Sequence, residues 1–353
     1  MLTSAWVLAG LVVLITGASL WKFQVWWVRM FDLPRAQTIV LGTVAIILFM
    51  CSWPPGTAEW IALVAVVIAM LHQARKVVPY TFLAPVMARK ATPRSPDERI
   101  SLVVANVLAP NRDTAKLLNI IDSFRPDLVL TLESDAWWEE RLDVLEQDRP
   151  HTVKIPLDNL YGMHLYSRYP LHNVAVRYLI EADVPSIRAQ VELPSGRRIV
   201  FHGLHPRPPA PGENATAIER DAELLIVARE IEQDPCTVLV AGDLNDVAWS
   251  STSDLFRRTS GLLDPRRGRG FYNTFHAKVP FFRWPLDHIF HSADLGLLRL
   301  QRGPAFGSDH YPMYIELEHT PAERNGDPPA APSPQEEEEV DERIEEGVEK
   351  GGE

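Results

Sequence analysis

The spacing of hydrophobic positions changes three times along the chain, and each change predicts a different kind of structure. Ala5 to Trp21 is a run of seventeen residues without a charge. As a helix rising about 1.5 Å per residue, such a run reaches roughly 25 Å, close to the thickness of a bilayer core. Similar runs extend from Ala36 to Trp53 and from Trp60 to His72, with the turn-forming Pro54, Pro55 and Gly56 between them. The pattern predicts a membrane region over residues 1–84 with three transmembrane helices, at about 4–21, 36–53 and 57–74. Tryptophans 6, 21, 26, 27, 53 and 60 lie near the ends of the runs, where interfacial aromatic residues belong. The first run neither opens on basic residues nor closes on small ones, ending Leu20-Trp21-Lys22, which argues against a cleaved signal peptide.

Residues 85–98, with prolines toward the end, read as a linker. Beyond it the apolar runs shorten to strand length, at Ser101–Val104, Leu128–Leu132, Arg198–Phe201, Val238–Ala241, Asp287–Phe290 and Met313–Leu317. Helical spacing appears between them. Leu117, Ile121 and Phe124 share one face of a helix over Arg112–Phe124, which Pro126 stops. Leu224, Val227 and Ile231 do the same over Thr216–Gln233, before Pro235. Strands near Leu165, Val176 and Val191 have no helix between them, which predicts antiparallel pairing. The class is α/β with mixed sheets, in a domain over residues 99–318. Residues 319–353 are Pro-rich and then acidic, with few apolar positions, and predict a disordered tail.

Charge sharpens this division. Residues 320–353 hold twelve acidic and three basic residues, a net −9, and residues 1–99 hold nine basic and four acidic, a net +5. The total of −11 then leaves −7 for residues 100–319. A negative domain argues against broad electrostatic capture of nucleic acid, with Arg266, Arg267 and Arg269 the best candidates for a local basic patch. Lys22, Arg29 and Arg35 follow the first apolar run, and Arg75, Lys76, Arg89, Lys90 and Arg94 follow the third. The short second loop has none, so the positive-inside rule places the domain in the cytoplasm of a multi-pass cell-membrane protein. Two cysteines, Cys51 and Cys236, imply no disulfide framework.

Polar residues gather where the strands begin or end. Asn106 follows the first, Glu133 the second, His205 the Arg198–Phe201 run, and Asp243 with Asn245 the fourth. Asp287 opens another strand, and Asp309 and His310 precede the last. Strand ends deliver side chains to a shared crevice. Carboxylates there suit a hard cation such as Mg²⁺ or Mn²⁺, and a His or Asp can manage protons at a water or leaving group. Each residue alone reads equally as a surface acid, a turn former or a structural histidine.

Taken together, Ala105-Asn106-Val107, Leu132-Glu133, Leu165-Tyr166-Ser167-Arg168-Tyr169-Pro170, Gly203-Leu204-His205, Gly242-Asp243-Leu244-Asn245, Leu286-Asp287-His288-Ile289-Phe290 and Gly307-Ser308-Asp309-His310 resemble the endonuclease/exonuclease/phosphatase superfamily. The resemblance implies a four-layer α/β sandwich, two mixed β-sheets flanked by helices, here preceded by the three transmembrane helices. It implies that Glu133 is the principal metal ligand, with Asn106 and Asp309 beside it. It further implies that His310, oriented by Asp287, is the acid/base histidine, that Asp243 aligns or activates water, and that His205 clamps the phosphate. Asn106, Asn245 and Arg168 are the expected substrate contacts. Leu132 stands where many relatives carry Gln, and the stiff Pro206-Arg207-Pro208-Pro209 follows His205. His202, His288 and His291 lie near matched positions, but without a cysteine among oxygen ligands they do not suggest zinc.

The function expected is a membrane-anchored, divalent-metal-dependent hydrolase of phosphate esters, a phosphodiesterase or phosphatase. A lipid or other membrane-proximal substrate gains weight from the anchor and from the domain's negative charge. A nuclease acting on nucleic acid is the second reading, and a non-catalytic membrane scaffold the third.

Overall fold

The apolar runs at the amino terminus form helices that pack on one another in the computed structural model, which describes residues 1–21, 23–52, 54–234, 236–320 and 325–351. They are α1 (Leu2–Ala18), the short α2 (Trp26–Arg29) continued by a 3₁₀ turn over Met30–Asp32, α3 (Arg35–Met50) and α4 (Thr57–Val77). Ala5, Ala9 and Val12 of α1 meet Phe49 of α3 and Ala62, Leu63, Val66 and Ala69 of α4 in one buried cluster. Small side chains let the helices approach closely. The outer faces stay apolar and exposed, as at Val7, Leu14, Val40, Ile47, Ile61, Val64, Ile68 and Leu71.

The expectation of three transmembrane helices is not met in full. Among the described residues, only Thr57–Tyr80 is long and apolar enough by itself to cross a membrane. Leu2–Ala18 is shorter, and Arg35–Met50 reaches that length only with Trp26–Asp32, from which it is bent by 65°. The reason lies at the run ends: α1 stops at Ala18 and α3 at Met50, so residues counted as span enter turns instead. Lys22, Trp53 and Pro235, to which the sequence assigns roles, lie outside the described residues.

The domain follows as β1 (Arg99–Asn106), α5 (Thr114–Phe124), β2 (Leu128–Leu132), α6 (Ala136–Leu142), β3 (His151–Ile155), β4 (Met163–Ser167), β5 (Leu171–Arg177), β6 (Ser186–Glu192) and β7 (Arg198–Leu204). It continues through α7 (Ile218–Gln233), β8 (Val238–Asp243), α8 (Ser251–Ser260), β9 (Asp287–His291), β10 (Leu295–Arg302) and β11 (Met313–His319). One sheet has the order β10-β11-β1-β2-β4-β3 and the other β5-β6-β7-β8-β9, each with one parallel pair among antiparallel ones. Leu102, Leu130 and Leu165 of the first sheet meet Ile187, Phe201, Leu239 and Ile289 of the second in the central core. Val129 and Tyr166 turn outward against Leu117 and Ile121 of α5 and Trp138 of α6. Val200 and Val240 turn outward against Leu224, Val227 and Ile231 of α7 and Phe256 of α8. The layers are therefore helix, sheet, sheet, helix, as the alternation of side chains along buried strands requires.

Two flanking segments depart from expectation. The linker lies along the domain: Arg89 N donates to Asn325 O, Ala91 N to Leu297 O at 2.9 Å, and Arg94 N to Glu318 Oε1 at 2.7 Å. The tail expected to be disordered forms α9 (Pro334–Gly351), an 18-residue helix. Its apolar residues are few but correctly spaced. Val340 is buried against Leu225 and Leu255, with Ile344 one turn on, and Gly347 packs against Ala222. Its charges find partners too: Arg343 reaches Asp221 at 3.1 Å, and Asp341 reaches Arg229 at 2.8 Å.

The helices and the domain share a buried junction. Val77 and Tyr80 pack with Val247, Ala248, Trp249 and Leu286, with Leu33 and Ala36 at the margin. Trp249 Nε1 donates to Asp32 O at 2.8 Å, and Tyr80 donates to the Ala248 carbonyl.

Candidate active site

The last residue of β1 and the residue after β2 emerge side by side, because the two strands are parallel with Asn106 opposite Leu132. Asn106 Nδ2 donates to Glu133 Oε1 at 2.7 Å and to Asp243 Oδ2 at 3.1 Å. The second of these bonds crosses from one sheet to the other, since Asp243 closes β8. Antiparallel register sets Asp243 opposite Asp287, the first residue of β9. His310, just before β11, bonds through Nδ1 to Asp287 Oδ2 at 2.8 Å, and its Nε2 lies 3.4 Å from Asp243 Oδ2. Strand ends from both sheets thus converge on one rim.

The backbone is bent to achieve this. Glu133 and Asn245 hold φ of +57° and +50°, a left-handed region that non-glycine residues enter at a cost and that is enriched at functional sites. At Gly242, φ is +155°, and a Cβ would stand 1.8 Å from the Leu204 carbonyl oxygen, so glycine is needed where β8 passes β7.

Electrostatics follows from burial and neighbours. Burial pushes the Glu133 carboxyl up to about 7, against the pull of Asn106 and His310. Burial acts the same way on Asp243, but His310 and His205 outweigh it and hold that carboxyl below its ordinary value. For His310, burial is overcome by Asp287 and then Asp243, so the imidazole keeps its proton well above the usual range. Burial also raises Asp287, which shares a 2.8 Å hydrogen bond with His310 Nδ1. His205 is buried after β7, its ring centre 5.4 Å from that of Tyr161, and burial holds it down to about 4. Among the described residues its Nδ1 has no hydrogen-bond partner.

The oxygen-rich set fits a hard divalent cation. Glu133, Asp243 and Asp309 lie within electrostatic reach of one another, with His310 among them as the opposing charge. A carboxyl as reluctant to ionise as Glu133 is what an added cation would restore to the charged form. Asp243, Asp287 and His310 also present one atom each within 4.8 Å of one another. His310 is already engaged with Asp287 through Nδ1, so that trio is the poorer cradle.

Asn245 sits at the rim, its backbone N donating to Asp243 Oδ1 at 3.0 Å and its Nδ2 to Pro206 O at 3.0 Å. Asp309 is partly exposed, and its carbonyl accepts from Ala277 N at 2.6 Å.

Arg168 is not brought to the cluster. Antiparallel β4 pairs Met163 with Leu132 but Ser167 with Leu128, so Arg168 leaves the sheet at the end opposite Glu133. There it lies 3.5 Å from Asp127. The basic patch is corrected likewise: Arg266 is buried, bonded to Asp264 and to His288 Nδ1 at 2.9 Å. His288 Nε2 in turn donates to Asp246 O at 2.8 Å, so that histidine is structural.

Further residues support the site, Ser308 from within the matched Gly307–His310 stretch and Thr274 and Phe275 without a sequence signal of their own. Ser308 Oγ donates to Asn106 O at 2.8 Å and accepts from His310 N at 3.0 Å, tying both halves of the site together. Thr274 Oγ1 accepts from Asp287 N at 3.2 Å, and the ring centre of Phe275 stands 5.0 Å from that of His310.

A sequence model described as the Endonuclease/Exonuclease/phosphatase family matches residues 103–310. Similar solved structures include Danio rerio TDP2 in complex with a single-strand DNA product, at 17% identity and a TM-score of 0.53, covering 62% of this chain and 99% of that one. The human Nocturnin catalytic domain with bound sulfate is similar at 18% identity and a TM-score of 0.52, covering 69% and 99%. At such identities the likeness is one of fold. No curated protein matches the chain.

Proposed function

The chain belongs to the Endonuclease/Exonuclease/phosphatase family, a family of phosphoester hydrolases, and from that premise we propose that it is a divalent-metal-dependent phosphodiesterase or phosphatase held at a membrane by its amino-terminal helices. One observation carries the catalytic reading: Asn106, Glu133, Asp243, Asp287 and His310, spread over two hundred positions, meet through bonds of 2.7 to 3.1 Å and a 3.4 Å approach.

Glu133, with Asn106 and Asp309, would hold Mg²⁺ or Mn²⁺, which when bound supplies neutralisation of charge on the phosphoryl oxygens. Asp243, kept ionised beside His310, would accept the proton of the attacking water as its oxygen bonds to phosphorus, while the ester P–O bond breaks and the departing alkoxide takes a proton from solvent. His310 keeps its own proton and donates through Nε2 to a phosphoryl oxygen, with Asp287 fixing the ring. His205 offers a further neutral donor, and Asn245 lines the rim.

Attachment to a membrane is supported by the continuous exposed apolar face of α1, α3 and α4 and by Arg75 and Lys76 in the last turn of α4. These cations favour a cytoplasmic domain. A membrane-proximal phosphate ester is the favoured substrate, because the domain's net charge is −7 over residues 100–319 and Arg266 is internal.

The test uses the full chain in detergent with a soluble phosphodiester and a phosphomonoester, with Mg²⁺ or Mn²⁺. Hydrolysis should vanish with chelator and with Glu133→Gln. Turnover indifferent to both would sink the proposal. Plasmid nicking in the same preparation tests the nuclease reading, and release from membranes by alkaline wash would refute the anchor.

A further inference from the structure

An excursion of the chain between Phe275 and Trp284 joins the candidate site to the amino-terminal helices. Its base is bonded to the site itself. Phe275 pairs with both Trp284 and His310, Ala277 N donates to Asp309 O at 2.6 Å, and Tyr311 N donates to Thr274 O at 2.9 Å. Its tip is apolar and uncovered: Phe281 is 83% exposed and Phe282 58%. Lys278 and Arg283 flank these side chains in sequence. The tip also touches the first turn of α3, where Gln37 Nε2 donates to the Phe281 carbonyl at 3.1 Å.

A second uncovered loop follows α4, with Phe82 85% and Leu83 73% exposed. The start of α3 and the end of α4 are neighbours, since Arg35 Nη1 donates to Gln73 Oε1 at 2.7 Å. Both loops therefore stand at the same end of the helix bundle, where its apolar outer face gives way to Arg75 and Lys76. Large aromatic and aliphatic side chains are seldom left bare in water without an occupant. Here the apolar face of the adjoining helices is continuous with the loops, and cations stand beside them, which fits a phospholipid surface.

We propose that the Phe281–Phe282 and Phe82–Leu83 loops form an apolar foot that dips into the bilayer surface beside the helices, so that the rim carrying Asp309 and His310 opens at the level of the lipid headgroups. The inference rests on the membrane attachment proposed above. Such side chains settle about 5–10 Å into the boundary between headgroups and acyl chains. The foot is a docking surface and takes no part in the chemistry. Its role is to keep the site and the bilayer at a fixed height.

The experiment places an NBD fluorophore on single cysteines in the full chain, with Cys51 and Cys236 changed to Ser, reconstituted in vesicles of phosphatidylcholine and phosphatidylglycerol. The labelled variants are Phe281→Cys, Phe82→Cys, Val64→Cys on the exposed face of α4, and Val144→Cys beside Arg168. Nitroxide lipids labelled near the glycerol backbone should lower emission about twofold or more at 281 and 82, while 144 is unchanged. Quenching at 64 without quenching at 281 and 82 would overturn the foot and leave the anchor standing. No quenching at 64 would overturn both. Loss of activity would affect neither readout.

Discussion

His310 is held between two carboxylates, 2.8 Å from Asp287 through one nitrogen and 3.4 Å from Asp243 through the other. Asp287 comes from the start of β9 and Asp243 from the end of β8, so the imidazole is fixed in the plane where those strands meet. Changing His310 to Ala should lower phosphodiester turnover at least about a hundredfold, the scale of a lost hydrogen-bond donor to a charge-bearing phosphoryl oxygen. Asp287→Asn keeps the shape and removes the charge, and should cost about tenfold or more. Near-normal steady-state rates in either variant would take the pair out of the mechanism.

Metal binding is predicted to be visible without turnover. A cation that binds only the folded state at a hundred times its Kd stabilises by about 2.7 kcal/mol. Mn²⁺ or Mg²⁺ should therefore raise the melting temperature of the wild type by several degrees and leave Glu133→Gln unmoved. Equal shifts in both proteins would place the cation elsewhere.

Arg168→Ala should leave turnover within about twofold, because the side chain lies at the far end of the sheet, 3.5 Å from the buried Asp127. A large rise in KM would restore it to the substrate site.

The contrast between Arg168 and His310 shows what the chain reveals before folding. Strands such as Leu128–Leu132 and Val238–Ala241 are legible because they are buried on both faces and bounded by turns, and the residues that follow them mark the rim. Which end of a strand faces the rim depends on direction, and antiparallel β4 reverses it for Arg168. Burial of charge is equally hidden. Arg266 looks like one of three surface arginines in sequence, yet it is buried against Asp264, two residues before it, and His288 of β9. For α9, glutamates mask the spacing of Val340 and Ile344, and the surface of α7 and α8 that receives them is made only by the fold.

Glu223 gives a stability prediction on the alkaline side. It is buried in α7, its Oε1 has no partner among the described residues, and burial, with Glu181 adding to it, pushes the carboxyl up to about 8 from an ordinary 4.5. Between these values the folded state retains a proton that the unfolded chain has released, so stability is full below the lower one and falls as pH rises through the upper. Glu223→Gln removes this loss. Its melting temperature should exceed that of the wild type by a margin that widens from pH 5 to about pH 8. A margin independent of pH would refute the buried proton.

Acid acts through the histidines. Burial holds His202 and His288 down to about 3 and His164 and His291 to about 4, from an ordinary 6.5. Their contribution is complete above the unfolded value and lost as pH falls below it, and His205 acts with them, five histidines against the opposite trend of the Glu223, Glu133 and Asp287 carboxyls. The urea midpoint should accordingly be lower at pH 5 than at about pH 7. Equal midpoints would mean that unfolding takes up no protons there.

The pairing of β1 with β11 sets Arg99 against Glu318 and Val104 against Met313, so the first and last strands of the domain lie next to each other. During synthesis the ribosome must therefore deliver nearly the whole polypeptide before the central strand acquires its second neighbour. The apolar amino-terminal helices emerge long before that moment, so the attachment proposed above would let them reach lipid while the domain behind them is still open. Completion of the site, by contrast, has to wait for residues 309 to 319.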